Sequence, residues 1–119
     1  MGSKESMKSI YPWLTVSLLF IGPADANEAV ISVPTDSKAK YYLLEKSEAN
    51  GRVTIVTKRI GSLGTSYSKR LVDCNNKTFM YLGEGDSVEE MKSSKPDVKM
   101  TPLTPGSIST YVANAACKK

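Results

Sequence analysis

Between Ala49 and Cys74 the chain reads A-N-G-R-V-T-I-V-T-K-R-I-G-S-L-G-T-S-Y-S-K-R-L-V-D-C, two extended runs joined by a glycine-containing connection. Asn50-Gly51 is a hairpin signal, because both residues tolerate the positive φ that a type I′ turn demands. Arg52–Ile60 is rich in β-branched residues, which suit a half-buried pleated surface. Residues 61–66, G-S-L-G-T-S, form a connection with two glycines, and Tyr67–Cys74 is a second extended run. A turn centred near Leu63 sets position 58 against 69 and position 56 against 71. Val53, Ile55, Val72 and Cys74 then face a core. Lys58, Arg59, Lys69 and Arg70 gather near one hairpin tip, with Lys58 and Lys69 directly opposed on the outer face.

The same pattern continues on both sides of this stretch. Upstream lie Ala29–Val33, an apolar run ended by Pro34-Thr35-Asp36, and Lys40–Glu45, K-Y-Y-L-L-E. Downstream, Asn75-Asn76 leads into Lys77–Leu82. Five extended runs with tight connections predict an antiparallel meander. The period then changes. Asp86-Ser87-Val88-Glu89-Glu90-Met91 opens a short helix with Ser87 and Glu90 at capping-box spacing, and Pro96 marks its end. Lys92–Thr104 is a polar connector expected to have little regular structure. Thr104-Pro105-Gly106-Ser107 starts a second helix, whose apolar residues Ile108, Tyr111, Val112, Ala115 and Ala116 form an amphipathic stripe. The fold class is therefore α+β, an antiparallel sheet meander with a C-terminal helix packed on one face.

The first 26 residues stand apart. Lys4 and Lys8 precede an uncharged run from Ile10 to Gly22, and Ala24-Asp25-Ala26 follows it. A basic region, a short apolar segment and an A-x-A box read as a cleaved secretory signal peptide. The competing reading, a membrane anchor, needs about 20 apolar residues to cross a hydrocarbon core, and Pro12 suits a leader better than a packed helix. Met1 and Met7 are alternative starts. Residues 27–119 then form a single domain whose net charge stays at +4. No stable membrane span is expected after cleavage.

Composition narrows the chemistry. The 119 residues contain no histidine and two cysteines. That leaves no Ser-His-Asp or Cys-His pair and no His-ligated zinc, and two cysteines are too few for an all-cysteine metal site. Export places Cys74 and Cys117 in an oxidising compartment, where such a pair is usually bonded. They are not a C-x-x-C redox pair. One disulfide between them would clamp the end of the last helix to the middle of the meander. It would stabilise the fold by at most roughly 4 kcal/mol in the chain-entropy model, for a loop of about 44 residues.

Val72-Asp73-Cys74 at a strand end, Lys77-Thr78-Phe79-Met80-Tyr81, and Thr101-Pro102-Leu103-Thr104-Pro105-Gly106-Ser107 leading to Cys117-Lys118 form a set of motifs. Together they resemble the bacterial surface-adhesin protein E family. The likeness runs roughly from Lys40 to Lys119. It implies a sheet whose concave face holds a C-terminal helix by a disulfide, and display in the periplasm or on the surface of a Gram-negative bacterium. The family's best-known member binds vitronectin, laminin and plasminogen and can dimerise. Two features differ: Met100-Thr101-Pro102-Leu103 stands where many relatives carry a tryptophan, and an acidic helix around Ser87–Met91 fills what is often a loop.

The four basic residues, Lys58, Arg59, Lys69 and Arg70, are the candidate binding residues. They would meet an acidic partner, or else serve as a solvated edge that resists strand-to-strand aggregation. A net charge of +4 on an exported chain argues against nucleic acid. Tyr41, Tyr42, Tyr67, Phe79, Tyr81 and Tyr111 are expected in the core and in cross-strand pairs rather than in a stacking platform. Glu84, Asp86, Glu89 and Glu90 lack the ligand order of a calcium loop. No cofactor, metal or catalytic residue is expected. The partner expected is a protein, such as a host extracellular-matrix or plasma protein, or a second copy of the chain in a homodimer. The alternative is a periplasmic accessory protein, either a small inhibitor of an envelope-acting enzyme or an assembly component.

Overall fold

The computed structural model describes residues 29–119. The leader reading, Met1–Ala26, lies outside the described residues. The sheet has six antiparallel strands in sequential order. They are β1 (Ala29–Ile31), β2 (Lys40–Ala49), β3 (Arg52–Gly61), β4 (Gly64–Asp73), β5 (Thr78–Gly85) and β6 (Thr101–Pro102). A 3-10 turn at Pro34–Asp36 joins β1 to β2. Helix α1 (Val88–Ser93) follows β5, and α2 (Ile108–Cys117) ends the domain.

The turns follow from their residues. Asn50 and Gly51 have φ of 56° and 79° and close β2 onto β3, with Ala49 opposite Arg52, as a type I′ turn requires. The next hairpin is tighter than the sequence suggests. Gly61 pairs with Gly64, so the turn is Ser62-Leu63 alone and both strands run through the expected connection. Between β4 and β5 the strand stops at Asp73. The Asp73 carboxylate accepts from the Asn76 amide at 3.1 Å and from Asn76 Nδ2 at 2.9 Å, while Lys77 takes φ 57° and donates its amide to the Asp73 carbonyl. Lys77 therefore belongs to the turn and not, as expected, to the strand. Those Asn76 hydrogen bonds hold the Asp73 carboxyl below its ordinary pKa, because they favour the charged form.

Alternation along the strands sorts side chains between two faces. Ile55, Val72 and Val112 are fully buried on the inner face, within a core that includes Val53, Ala113 and Ala116. Helix α2 covers this face. Ser107 caps it by accepting from the Thr110 amide. Its buried residues are Ser109, Val112, Ala113 and Ala116, so the buried stripe is turned slightly from the expected one. Ile108, Tyr111 and Ala115 flank it, partly buried. At its far end Lys46 Nζ donates to the Ala115 and Lys118 carbonyls at 3.1 and 3.0 Å, a favourable place for a cation. Cys74 and Cys117 are bonded, with S–S 2.00 Å and Cα–Cα 5.8 Å. The meander, the C-terminal helix and the bond between them are thus as the sequence predicts.

Two bulges adjust what each face presents. Leu44 is the extra residue in β2, between the pairs Leu43–Thr57 and Glu45–Val56. Before it, Tyr41 and Leu43 face inward. After it, Lys46 does, which is how that lysine reaches the end of α2. In β5 the register shifts between Arg70–Tyr81 and Lys69–Gly83. A bulge re-aims every later side chain, so Gly83 and Gly85 turn to the outer face while Glu84 turns inward. The two glycines seat α1. A Cβ on Gly83 would lie 2.1 Å from the Met91 carbonyl oxygen, and one on Gly85 would lie 2.4 Å from the Glu90 Cβ. Met91 and Val56 are buried on this outer side. Ser87 caps α1 through the Glu90 amide, and Glu90 Oε1 accepts from the Asp86 amide.

The connector after α1 is more ordered than its composition suggests. The Asp97 amide donates to the Tyr81 carbonyl, and Asp97 Oδ2 accepts the Tyr81 amide. Thr101 and Pro102 then pair with Phe79 and Thr78 as β6. This covers an edge of β5 whose backbone groups would otherwise need water.

Candidate functional site

The two-residue turn fixes where the four basic residues go. Lys58 faces Tyr67, Arg59 faces Ser66, Lys69 faces Val56 and Arg70 faces Ile55. Lys58 and Lys69 are therefore not directly opposed. Their register is two residues away from the expected one, a shift that keeps every side chain on its face. The four residues also do not gather at one tip: Lys58 and Lys69 lie on the outer face, Arg59 and Arg70 on the inner one. Strand alternation alone carried this signal, since Arg59 shares parity with Ile55 and Arg70 with Val72.

On the outer face, one row crosses four strands: Tyr42 opposite Lys58, Lys58 opposite Tyr67, and Tyr67 opposite Gly85. Lys58 Nζ sits 5.4 Å from the Tyr42 ring centroid, within cation–π range. Tyr42, Tyr67 and Lys69 are half-buried. Ile60, next along β3 on this face, is exposed, and Leu63 at the turn is fully so. The hairpin therefore carries an aromatic, basic and apolar surface together.

The inner face is polar between the core and the turn. Tyr41 Oη donates to Asp36 Oδ2 at 2.6 Å, and Arg59 Nε reaches the same oxygen at 2.9 Å. The Arg59 hydrogen bond first, and the Tyr41 one second, hold the Asp36 carboxyl below its ordinary value. Burial and then Asp36 push the Tyr41 phenol up. The same Asp36 contact, followed by Tyr41, raises Arg59 further. Arg59 is thereby neutralised locally.

Arg70 is not neutralised in this way. It is 3% exposed, and its guanidinium donates to three hydroxyls: Nε to Ser109 Oγ at 3.0 Å, Nη2 to Tyr81 Oη at 3.1 Å and Nη1 to Thr57 Oγ1 at 3.4 Å. The Tyr81 ring lies 4.7 Å from its Cζ. Among the described residues no carboxylate lies within 4.0 Å of it. Arg59 and Arg70 both line a cavity of about 170 Å³ that Ser66, Ser68 and Glu84 also border. A larger groove of about 660 Å³ runs between β1 and α2. Its lining is mostly apolar, and its Lys46 is committed to the helix carbonyls.

Of the aromatic residues, Tyr41 is in the core and Phe79 packs against it, touching Tyr81 edge-on at 5.5 Å between centroids. Tyr42 and Tyr67 instead face outward. Glu84 and Asp86 stand apart from any metal arrangement: no group of three or more metal-ligating side chains occurs among the described residues. No helix among them is long and apolar enough to cross a membrane. The disulfide fits an oxidising, extracytoplasmic compartment. Asp36, Thr57, Ser66, Ser68 and Ser109 surround Arg59 and Arg70 without any signal in the sequence, whereas Tyr81 and Glu84 stand out there only as an aromatic residue and as part of an acidic cluster. No family model, curated protein or solved structure matches the chain.

Proposed function

We propose that this domain is an exported, non-catalytic recognition module that binds a protein partner through the outer face of its sheet. The observation that carries this reading is the Tyr42–Lys58–Tyr67 row, with Lys69, Ile60 and Leu63 beside it. Tyrosines on a rigid strand offer large amphipathic contact area at low entropic cost, and interface centres favour aromatic residues. The resemblance to the adhesin E family extends the reading to a host matrix or plasma protein, met at the surface of a Gram-negative bacterium. A homodimer through the same outer face belongs to this reading. The disulfide is equally suited to the periplasm, which supports a second reading as a periplasmic accessory protein.

The test uses the oxidised protein over immobilised vitronectin, laminin and plasminogen. Saturable binding to one of them, weakened at least tenfold by Tyr42→Ser, Tyr67→Ser and Lys69→Ser together, is expected, because truncating central aromatic anchors commonly costs about 2 kcal/mol or more each. Circular dichroism establishes that the variant is folded. Binding to none of the three, with protease shaving of intact cells releasing no peptide, would replace the adhesin reading with the periplasmic one.

A further inference from the structure

We propose that the inner-face cavity is a binding site for a small oxyanion, a carboxylate or phosphate group, held by the buried guanidinium of Arg70. The inference is independent of the outer-face reading. It rests on a charge balance. Burying a cation away from water is unfavourable unless an opposite charge comes with it. Asp36 supplies that charge for Arg59. For Arg70 only hydroxyls are in reach, and they solvate the charge without cancelling it.

The hydroxyls are also arranged to serve an anion. Thr57 accepts a hydrogen bond from Arg70 with its oxygen, so it still has its own O–H to donate. Tyr81 Oη also accepts from Arg70 and shares a hydrogen bond with Ser109 Oγ at 3.4 Å in which either hydroxyl serves as donor. Ser66 and Ser68 point to the same inner face, opposite Arg59 and Thr57, and have no side-chain partner among the described residues. Arg70 uses three of its five N–H groups. The cavity of about 170 Å³ has room for roughly five waters, enough for an acetate or phosphate and too small for a nucleotide.

Glu84 is the opposing element. Its register partner is Ser68, it is exposed, and it lines the cavity without pairing either arginine. Its negative charge at the mouth weakens an incoming anion and gives the site a diagnostic response. Removing that charge should tighten binding, whereas loss of a merely structural residue would not.

The experiment is a titration of the isotope-labelled, oxidised protein with sodium acetate and, separately, sodium phosphate, at constant ionic strength with chloride as counter-anion. Nuclear magnetic resonance follows the arginine Nε–H signals and the Ser66, Ser68 and Tyr81 amides. Saturable shifts at these groups with at least one anion are expected, and the comparison of the two shows whether carboxylate or phosphate is preferred. Glu84→Gln should lower the dissociation constant two- to fivefold, and Arg70→Met should raise it at least tenfold. Glu84 is a surface side chain, so its variant tests the site even if Arg70→Met does not fold. Shifts that never saturate, or binding unchanged or weakened in Glu84→Gln, would overturn the proposal.

Discussion

The two faces of the sheet hold their helices by different means. On the inner face, α2 lies over a continuous apolar core, is bonded through Cys74–Cys117 and has its last carbonyls capped by Lys46. On the outer face, α1 is six residues long and rests on two glycines, with Met91 as its buried side chain. The first attachment is made by side chains and a covalent bond, the second by close backbone approach. The charges divide the same way. Arg59 and Arg70 are fixed by hydrogen bonds inside, while Lys69 and the tyrosine row meet solvent outside. The inner layer thus holds the strand row in place by core packing, a bond and hydrogen bonds, while the outer layer carries the row proposed for recognition.

The largest effect on this contrast should come from the staple. Cys74→Ser with Cys117→Ser should cost up to about 4 kcal/mol in urea unfolding. A loss below about 1 kcal/mol would mean that the apolar core alone holds α2. Next comes Gly83→Ala. Its Cβ meets the Met91 carbonyl oxygen, and overpacking of this kind costs about 1–3 kcal/mol. Hydrogen exchange should speed up across Val88–Ser93 and stay slow across Ile108–Cys117. Equal acceleration in both helices would show that the faces are not independent.

A smaller effect concerns acid. Asp36 has a lowered pKa in the fold because Arg59 and Tyr41 donate to it. A lowered folded value contributes stability above the ordinary carboxylate pKa and loses it as pH falls through the lowered one. Asp36→Asn should therefore flatten the decline in stability below about pH 4, as measured by thermal unfolding at a series of pH values. An unchanged decline would mean that Arg59 does not distinguish the charged carboxylate.

Much of the fold was legible because its signals are local. Asn50-Gly51 needs positive φ, Ser87 and Ser107 are caps, and β-branched alternation marks the strands. The exact register was not, because Gly61 and Gly64 pair to leave a two-residue turn where the composition suggests a longer one. The bulges at Leu44 and between Lys69 and Arg70 are set by cross-strand packing, and no residue type announces them. They decide that Lys46 reaches α2, that two glycines face α1 and that Glu84 enters the cavity. The candidate site was half visible. Its basic residues stood out, and their parity already divided them between faces. The partners of Arg59 and Arg70, Asp36 and Ser109, lie 23 and 39 residues away, a distance over which spacing carries no information.

The most direct test sets the two faces against each other by surface plasmon resonance on vitronectin, laminin and plasminogen. The outer-face variant, with Tyr42, Tyr67 and Lys69 each replaced by Ser, and Arg70→Met, both first shown to be folded by circular dichroism, are compared with the parent protein. The outer-face variant should lose affinity at least tenfold while Arg70→Met binds as the parent does. Undiminished binding by the outer-face variant, or an equal loss in both, would contradict the outer-face reading.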